Sequence, residues 1–417
     1  MPSLRARSLM EVITVTRATT ATYCNSSGLL ATAAAGSARI DHDPVTRAVR
    51  GLLIEEARTN LLLRSEEFDN AAWSKTGVTC AGAAINARAG ADGALTMDKL
   101  EEDTSSAAHY AKQGYVKTSS TEVQAYALSY WAVAGERTWL RVVAQGNSGS
   151  AHRAGADFDL VNGIANSPVV AGNYDSALSW IEPWGGGLFR CVLVFRINND
   201  GQTEVGSHTL LLQSGGGSES YTGTTGSGLY VWGSQLEKGA FPSSYIPTTT
   251  AAVTRNADDI LMASLSPWFE DEAAGTIVAD YSLPWTYSAL DTSSRRIVEI
   301  NDGTGANRHL AYVTGGKISS VTHVASVATA GGAGIQDQPV RNVVGRIGWA
   351  WAVNDFARSI DGSIVLTDTA GAVPATLTTC QLGLGAGGSV LHGHLRRFRF
   401  YPRRVSNTEL QQLTKAA

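Results

Sequence analysis

Cleavage of a glycosidic or ester bond needs two facing carboxylates, or a nucleophile beside a base. The sequence offers acidic clusters at Glu55-Glu56, Glu66-Glu67, Glu101-Glu102-Asp103 and Glu270-Asp271-Glu272. Adjacent residues on a strand point to opposite faces, so none of these is by its spacing a facing pair. Solvated or structural roles are expected for them. His152, His309, His323, His392 and His394 fall in no metal-ligand pattern, and the glycine runs at 185–187 and 215–217 lack the Lys-Ser or Lys-Thr of a phosphate cradle. The chain is not expected to be an enzyme.

Binding chemistry is better represented. The apolar face of a sugar stacks on an aromatic ring while its hydroxyls need polar partners, so a sugar site combines accessible Trp or Tyr with polar side chains. Trp73, Tyr110, Tyr115, Trp180 and Trp184 lie in turn-rich or ambiguous segments, and Trp285 and Tyr287 follow Pro284 in a loop. These seven are the candidate carbohydrate contacts. Trp131, Trp139, Trp232, Trp349 and Trp351 sit inside apolar strand runs, where packing is the expected role.

The elements that must hold these side chains are strands. Glycine (44 of 417 residues), with abundant Ser, Thr and Ala and only 17% charged residues, serves turns, and the aromatic residues suit pleated surfaces. Tyr126, Leu128 and Tyr130 alternate with Ala125, Ala127 and Ser129. Phe189, Cys191, Leu193, Phe195 and Ile197 alternate with Arg190, Val192, Val194 and Arg196, and Tyr230 and Trp232 flank Val231. Period-two runs put one face on a core. Asp361-Gly362 reads as a tight hairpin turn, and Ser406 with Glu409 as a capping box that opens a short terminal helix.

The expected fold is therefore all-β: an N-terminal segment over residues 1–62, an antiparallel jelly-roll sandwich over 63–256, a second antiparallel β-sandwich over 257–417, and a short C-terminal helix. The proline-bearing stretch from Phe241 to Thr250 cannot be an interior strand and marks the boundary near 256. The first 62 residues are too few to build a core of their own, so their apolar residues are expected to be covered by neighbouring subunits or a base protein. On that reading, a chain lacking residues 1–60 keeps two folded sandwiches. The small net charge of -4, with no basic stripe, argues against nucleic acid as a partner. Cys24, Cys80, Cys191 and Cys380 lie far apart and are expected to be reduced, buried and quiet. Neither a signal peptide nor a membrane span is expected, so synthesis in the cytoplasm and no membrane insertion are the corresponding readings.

Four phrases carry a resemblance. Arg17-Ala18-Thr19-Thr20-Ala21-Thr22-Tyr23, the run Gly51 to Leu62 with Ser65-Glu66-Glu67-Phe68 and Trp73, Leu229 to Glu237, and Phe241 to Thr250 together are similar to a group of phage head-spike and tail-fibre proteins that includes the spikes of gene transfer agents. Residues 257–417, ending in Phe400-Tyr401-Pro402-Arg403-Arg404-Val405-Ser406, look like a concanavalin A or laminin G sandwich. One departure is that Gly187-Leu188-Phe189-Arg190 stands where the group often has Gly-Trp-Tyr-Arg. The resemblance implies a virion-surface adhesin that binds host capsule or surface polysaccharide through a carbohydrate-binding jelly roll. It further implies attachment to other virion proteins through residues 1–62 and a homo-oligomer, trimer or pentamer. A structural calcium ion recurs in the sandwich families resembled, and Glu66, Asp69 and Asp98 are the oxygen donors that would hold it. The alternatives are a polysaccharide-degrading enzyme on the virion and a purely structural virion protein.

Overall fold

The alternating runs become the inner and outer faces of two packed sandwiches in the computed structural model, which describes residues 9–147, 151–212, 217–262, 265–266, 268–269, 272–285, 291, 293–331, 339–385 and 388–415. The central sandwich sets two sheets face to face. One runs in the order Tyr174–Gly185, Leu188–Asn198, Val123–Ala134, Gly228–Lys238, Leu95–Glu102, Val78–Thr79; the other includes Arg153–Asp159, Trp139–Gln145, Glu204–Leu212 and Tyr110–Val116. Between them lie Tyr126, Leu128, Tyr130, Cys191, Leu193, Phe195 and Ile197, the inward sets that the alternation identifies, with Leu140, Val142 and Ala144 from the facing sheet. The chain is all-β with one short C-terminal helix, Asn407–Thr414, whose Ser406 hydroxyl accepts from the Glu409 amide as a capping box requires.

The second sandwich is built differently from the expectation. Its sheets are not confined to residues after 256. Ile13–Thr16 pairs antiparallel with Asp259–Met262, and Val49–Ile54 pairs with Gly393–Tyr401 in the register Ile54 to Gly393 and Leu52 to Leu395. Ile40–His42 adds the edge beyond Val49–Ile54. Leu52 and Ile54 are buried in one core with Ile277, Ile300, Trp351 and Leu395. The N-terminal segment is thus not free-standing, because its strands Ile13–Thr16, Ile40–His42 and Val49–Ile54 are woven into the C-terminal sandwich. The cover that Leu52 and Ile54 need comes from the same chain, through the strand Gly393–Tyr401 and the core behind it.

A buried ionic junction ties the parts together. Arg39, 1% exposed, donates to Glu55 at 2.6 Å and also to Asp258, to the Thr22 carbonyl and to Ser244. Arg17 reaches the other oxygen of Asp258 at 2.7 Å, and Glu55 accepts from both the amide and the hydroxyl of Ser244. Asn60 donates to the carbonyls of Ser234 and Ile246, while Gln235 and Glu237 accept from the amides of Ile246 and Ser243. The four phrases that carry the family resemblance therefore meet here. Phe241 stacks on Trp285 at 4.8 Å, with the guanidiniums of Arg58 and Arg295 5.0 and 4.6 Å from its ring centre.

Acid should loosen this protein in a defined window. Burial holds His309 and His392 near a pKa of about 3, against 6.5 for an ordinary histidine. Burial alone would raise the Glu55 carboxyl, but Arg255 and Arg39 outweigh it and hold it well below 4.5. Burial also acts to raise Glu56, and Arg58 and Arg295 hold it at about 2. Between pH 6.5 and 3 the unfolded chain binds more protons than the folded one at both histidines, so stability falls as pH falls. The expected slope is about 1.4 kcal/mol per pH unit for each titrating histidine, joined below 4.5 by the two glutamates. Urea unfolding at pH 7, 6, 5 and 4 measures it; a flat midpoint across that range would contradict the assignment.

Candidate functional site

The outer face of the sheet Tyr174–Gly185 to Val78–Thr79 turns toward the second sandwich, and a cleft of about 270 Å3 opens between them. Alternation places Trp180, Glu182 and Trp184 on one side of the strand Tyr174–Gly185, the side away from the central core. Trp184 meets Trp131 edge to face at 5.7 Å, and Trp131 contacts Trp232 and Tyr245 at 5.5 and 5.3 Å. Leu188, which stands where the Gly-Trp-Tyr-Arg pattern has Trp, packs into this aromatic cluster. Arg190 lies over the Trp131 ring at 4.5 Å and donates to the Ser129 hydroxyl and the Ser243 carbonyl.

The opposite wall comes from the N-terminal strands and the second sandwich. Asp41 accepts from the Cys24 amide and lies 2.9 Å from Nε2 of His394, while Asp43 is paired with Arg50 at 2.9 Å. Arg341 reaches in from the second sandwich, stacks over Trp180 at 4.9 Å and pairs with Glu182, which also accepts from the Trp180 indole at 2.8 Å. Burial acts to raise the Glu182 carboxyl, but Arg341 and Arg190 outweigh it and hold it below the ordinary glutamate value. Desolvation likewise acts to raise Asp43, and the Thr46 amide with Arg50 lowers it. Both are anions at neutral pH. Cys24, the thiol in the wall, is pushed up to about 12 by burial and by Asp41, so it is no nucleophile. All four cysteines are free and buried.

Of the seven aromatic candidates, two gather at this cleft. Trp184 lines it and Trp180 braces its rim. Trp73 is 1% exposed, stacked on Phe68 at 4.5 Å with its indole donating to the Arg64 carbonyl; it is a core residue and offers no face to a sugar. Trp285 is 2% exposed and belongs to the junction, donating to the His392 carbonyl. In both cases the neighbour that buries the ring is another aromatic, Phe68 or Phe241. Tyr115 points inward with Ala111 against the central core, and Tyr110 lies on the far sheet of the central sandwich. Tyr287 lies outside the described residues, as do Glu270 and Asp271.

The calcium donors do not fit an ion. Asp98 is 1% exposed, and its carboxylate is turned to backbone donors: the Phe68 and Asp69 amides on one oxygen and the Asn86 amide on the other. Glu66 accepts from the Tyr245 hydroxyl. Among the described residues no three His, Cys, Asp or Glu side chains gather as a metal site. Asp98 instead pins the Phe68 turn to its sheet.

Sequence reasoning missed Arg190, Arg341, Tyr23, Asp41, Asp43 and Arg50 as cleft residues. Only Arg190 left a trace, as one of two arginines in the outward set with Val192, Val194 and Arg196, and the face it occupies reads as solvent unless the second sandwich is known to cover it.

No protein-family model matches the chain, and no curated protein matches it in sequence. Among solved structures, the CBM40 module of Ruminococcus gnavus IT-sialidase is similar over 35% of this chain and 84% of its own, at 15% identity and a TM-score of 0.28. Sheep galectin-11 is similar over 31% of this chain and 90% of its own, at 8% identity and 0.24. Mouse laminin α1 domains LG4-5 span 71% of this chain and 86% of their own, at 12% identity and 0.23. Likeness at this level says nothing of a shared ligand.

Proposed function

We propose that the chain is a non-catalytic adhesin of a phage or phage-like particle, binding host surface polysaccharide in the cleft between its two sandwiches. The observation that carries the binding reading is the lining itself. A half-buried indole, Trp184, stands beside a buried guanidinium and ion-paired carboxylates in a space of about 270 Å3. Indole faces suit the apolar side of a sugar ring, and fixed polar groups orient its hydroxyls. The virion reading is supported by the four phrases that resemble phage spike and fibre proteins. Display on the particle surface as a trimer or pentamer, held by other virion proteins, would multiply a weak site by avidity. With Ile13–Thr16, Ile40–His42 and Val49–Ile54 engaged in the second sandwich, attachment to the particle would use another surface.

Binding without cleavage is the reading that the carboxylates favour. A glycosidase acid must hold its proton near neutral pH. Glu182 and Asp43 are both held below their ordinary values, and Asp41 is occupied by His394 and a backbone amide. Incubation with host capsule should therefore release no new reducing ends or unsaturated sugars.

The test is retention of the purified chain on immobilised host surface polysaccharide. Wild type is expected to bind saturably, and Trp184→Ala to bind at least about fivefold more weakly with an unchanged unfolding midpoint, since one stacking contact contributes about 1 kcal/mol. Equal binding by wild type and Trp184→Ala would remove the cleft from the account.

A further inference from the structure

We propose that the cleft takes a sugar acid, with the carboxylate of a uronic or ulosonic residue seated on Arg190. This deepens the glycan-binding reading and rests on it. The charged groups of the lining are paired, with one exception. Glu182 has Arg341, Asp43 has Arg50, Asp41 has His394, and Glu55 has Arg39 behind it. Among the described residues, Arg190 is the one charged lining group with no opposite charge within 4.0 Å.

The reason lies in the register of two strands. Glu182 and Arg190 are direct cross-strand partners and would ordinarily pair. Instead the Glu182 carboxylate is taken by Arg341 and by the Trp180 indole, while the Arg190 side chain swings over Trp131. There its Nε and one terminal nitrogen donate to the Ser129 hydroxyl, and that terminal nitrogen donates also to the Ser243 carbonyl. The other terminal nitrogen, Nη1, donates to no described atom and is not sealed from solvent, so its N–H groups open to the cleft.

Arg190 is 7% exposed. A guanidinium that has given up its hydration without gaining a counter-ion is costly, and a ligand anion would remove that cost. Arginine with a carboxylate is among the strongest of the charge-assisted hydrogen bonds. Trp184 and Arg190 rest on the same indole, Trp131, at 5.7 and 4.5 Å. Ring platform and acid anchor thus line one cleft on a shared support, the combination that a pyranose with a ring carboxylate needs. The nearest fixed anion, Glu182, is neutralised by Arg341, so it does not repel the ligand acid.

The experiment titrates the full chain with oligosaccharides of hyaluronan, galacturonate and colominic acid, and with the same oligosaccharides after chemical reduction of their carboxylates to alcohols. At least one acidic probe is expected to bind ten times or more tighter than its reduced form, and which one binds tells uronic from ulosonic acid. Arg190→Gln should abolish that difference, binding both forms alike. Ligand reduction leaves the protein untouched, so the first comparison stands even where the variant folds poorly. Equal affinity for acidic and reduced forms would overturn the inference while leaving a neutral-sugar site intact. A preference for acid that survives in folded Arg190→Gln would overturn it by placing the anion elsewhere. Binding of no probe would also overturn it, and the immobilised-polysaccharide test decides separately whether the glycan reading falls too.

Discussion

A chain that begins at Leu63 should keep a folded central sandwich and lose the second one. Removing the first 62 residues strips Val49–Ile54 from the flank of Gly393–Tyr401 and Ile13–Thr16 from the flank of Asp259–Met262. Leu52 and Ile54, 1% and 0% exposed, leave a gap in the core, at about 2–3 kcal/mol of lost burial each. Asp258, itself 1% exposed, loses both Arg17 and Arg39 and becomes a buried anion without a partner, a change that typically costs about 3–5 kcal/mol. Together these approach or exceed the whole stability of an ordinary domain, about 5–15 kcal/mol. Limited proteolysis of the truncated chain should leave a resistant fragment near residues 63–256 and digest the rest. Two resistant fragments would show that the N-terminal strands are dispensable.

Glu55→Ala is the single substitution expected to do most damage. Its carboxylate is 2% exposed and accepts from Arg39, the Ser244 amide and the Ser244 hydroxyl, with Arg255 3.6 Å away. Alanine leaves two buried guanidiniums short of a counter-charge and removes both bonds that Ser244 makes to Glu55. The expected loss is about 3–5 kcal/mol, read as a lowered urea midpoint at pH 7. The neighbouring Glu56 is partly solvated and should cost less. A change under about 1 kcal/mol for Glu55→Ala would mean that the junction carries no appreciable energy.

How far the sequence discloses this structure depends on whether the determining contact is local. The inward sets Tyr126, Leu128, Tyr130 and Cys191, Leu193, Phe195 are legible because a strand buries alternate residues whatever it packs against. The turn at Asp361-Gly362 is legible too, with φ of 48° and 73° at its two residues, as a tight hairpin requires. The pairing of Leu52 with Leu395 has no local signal, since nothing near residue 52 specifies a partner so distant in the chain. The same holds for the site. Trp73 and Trp285 look accessible beside their turns, yet each is covered by a ring several residues or a whole domain away. Trp184 was legible because three glycines follow it and leave it at a strand end. Arg190 was not, because its role depends on Glu182 being engaged by Arg341 from the other sandwich.

The most direct test of the central claim is to locate the ligand on the folded protein. Hydrogen exchange of the full chain should be compared with and without a saturating fragment of the host surface polysaccharide, at pH 7 where the junction is intact. Protection is expected at Ile181 to Arg190, at Ser243 to Tyr245 and at Arg341 and Asn342, the segments that meet at the cleft. Protection confined to the far sheet around Tyr110, or none under conditions where the polysaccharide binds, would contradict the account and move the site off the boundary between the two sandwiches.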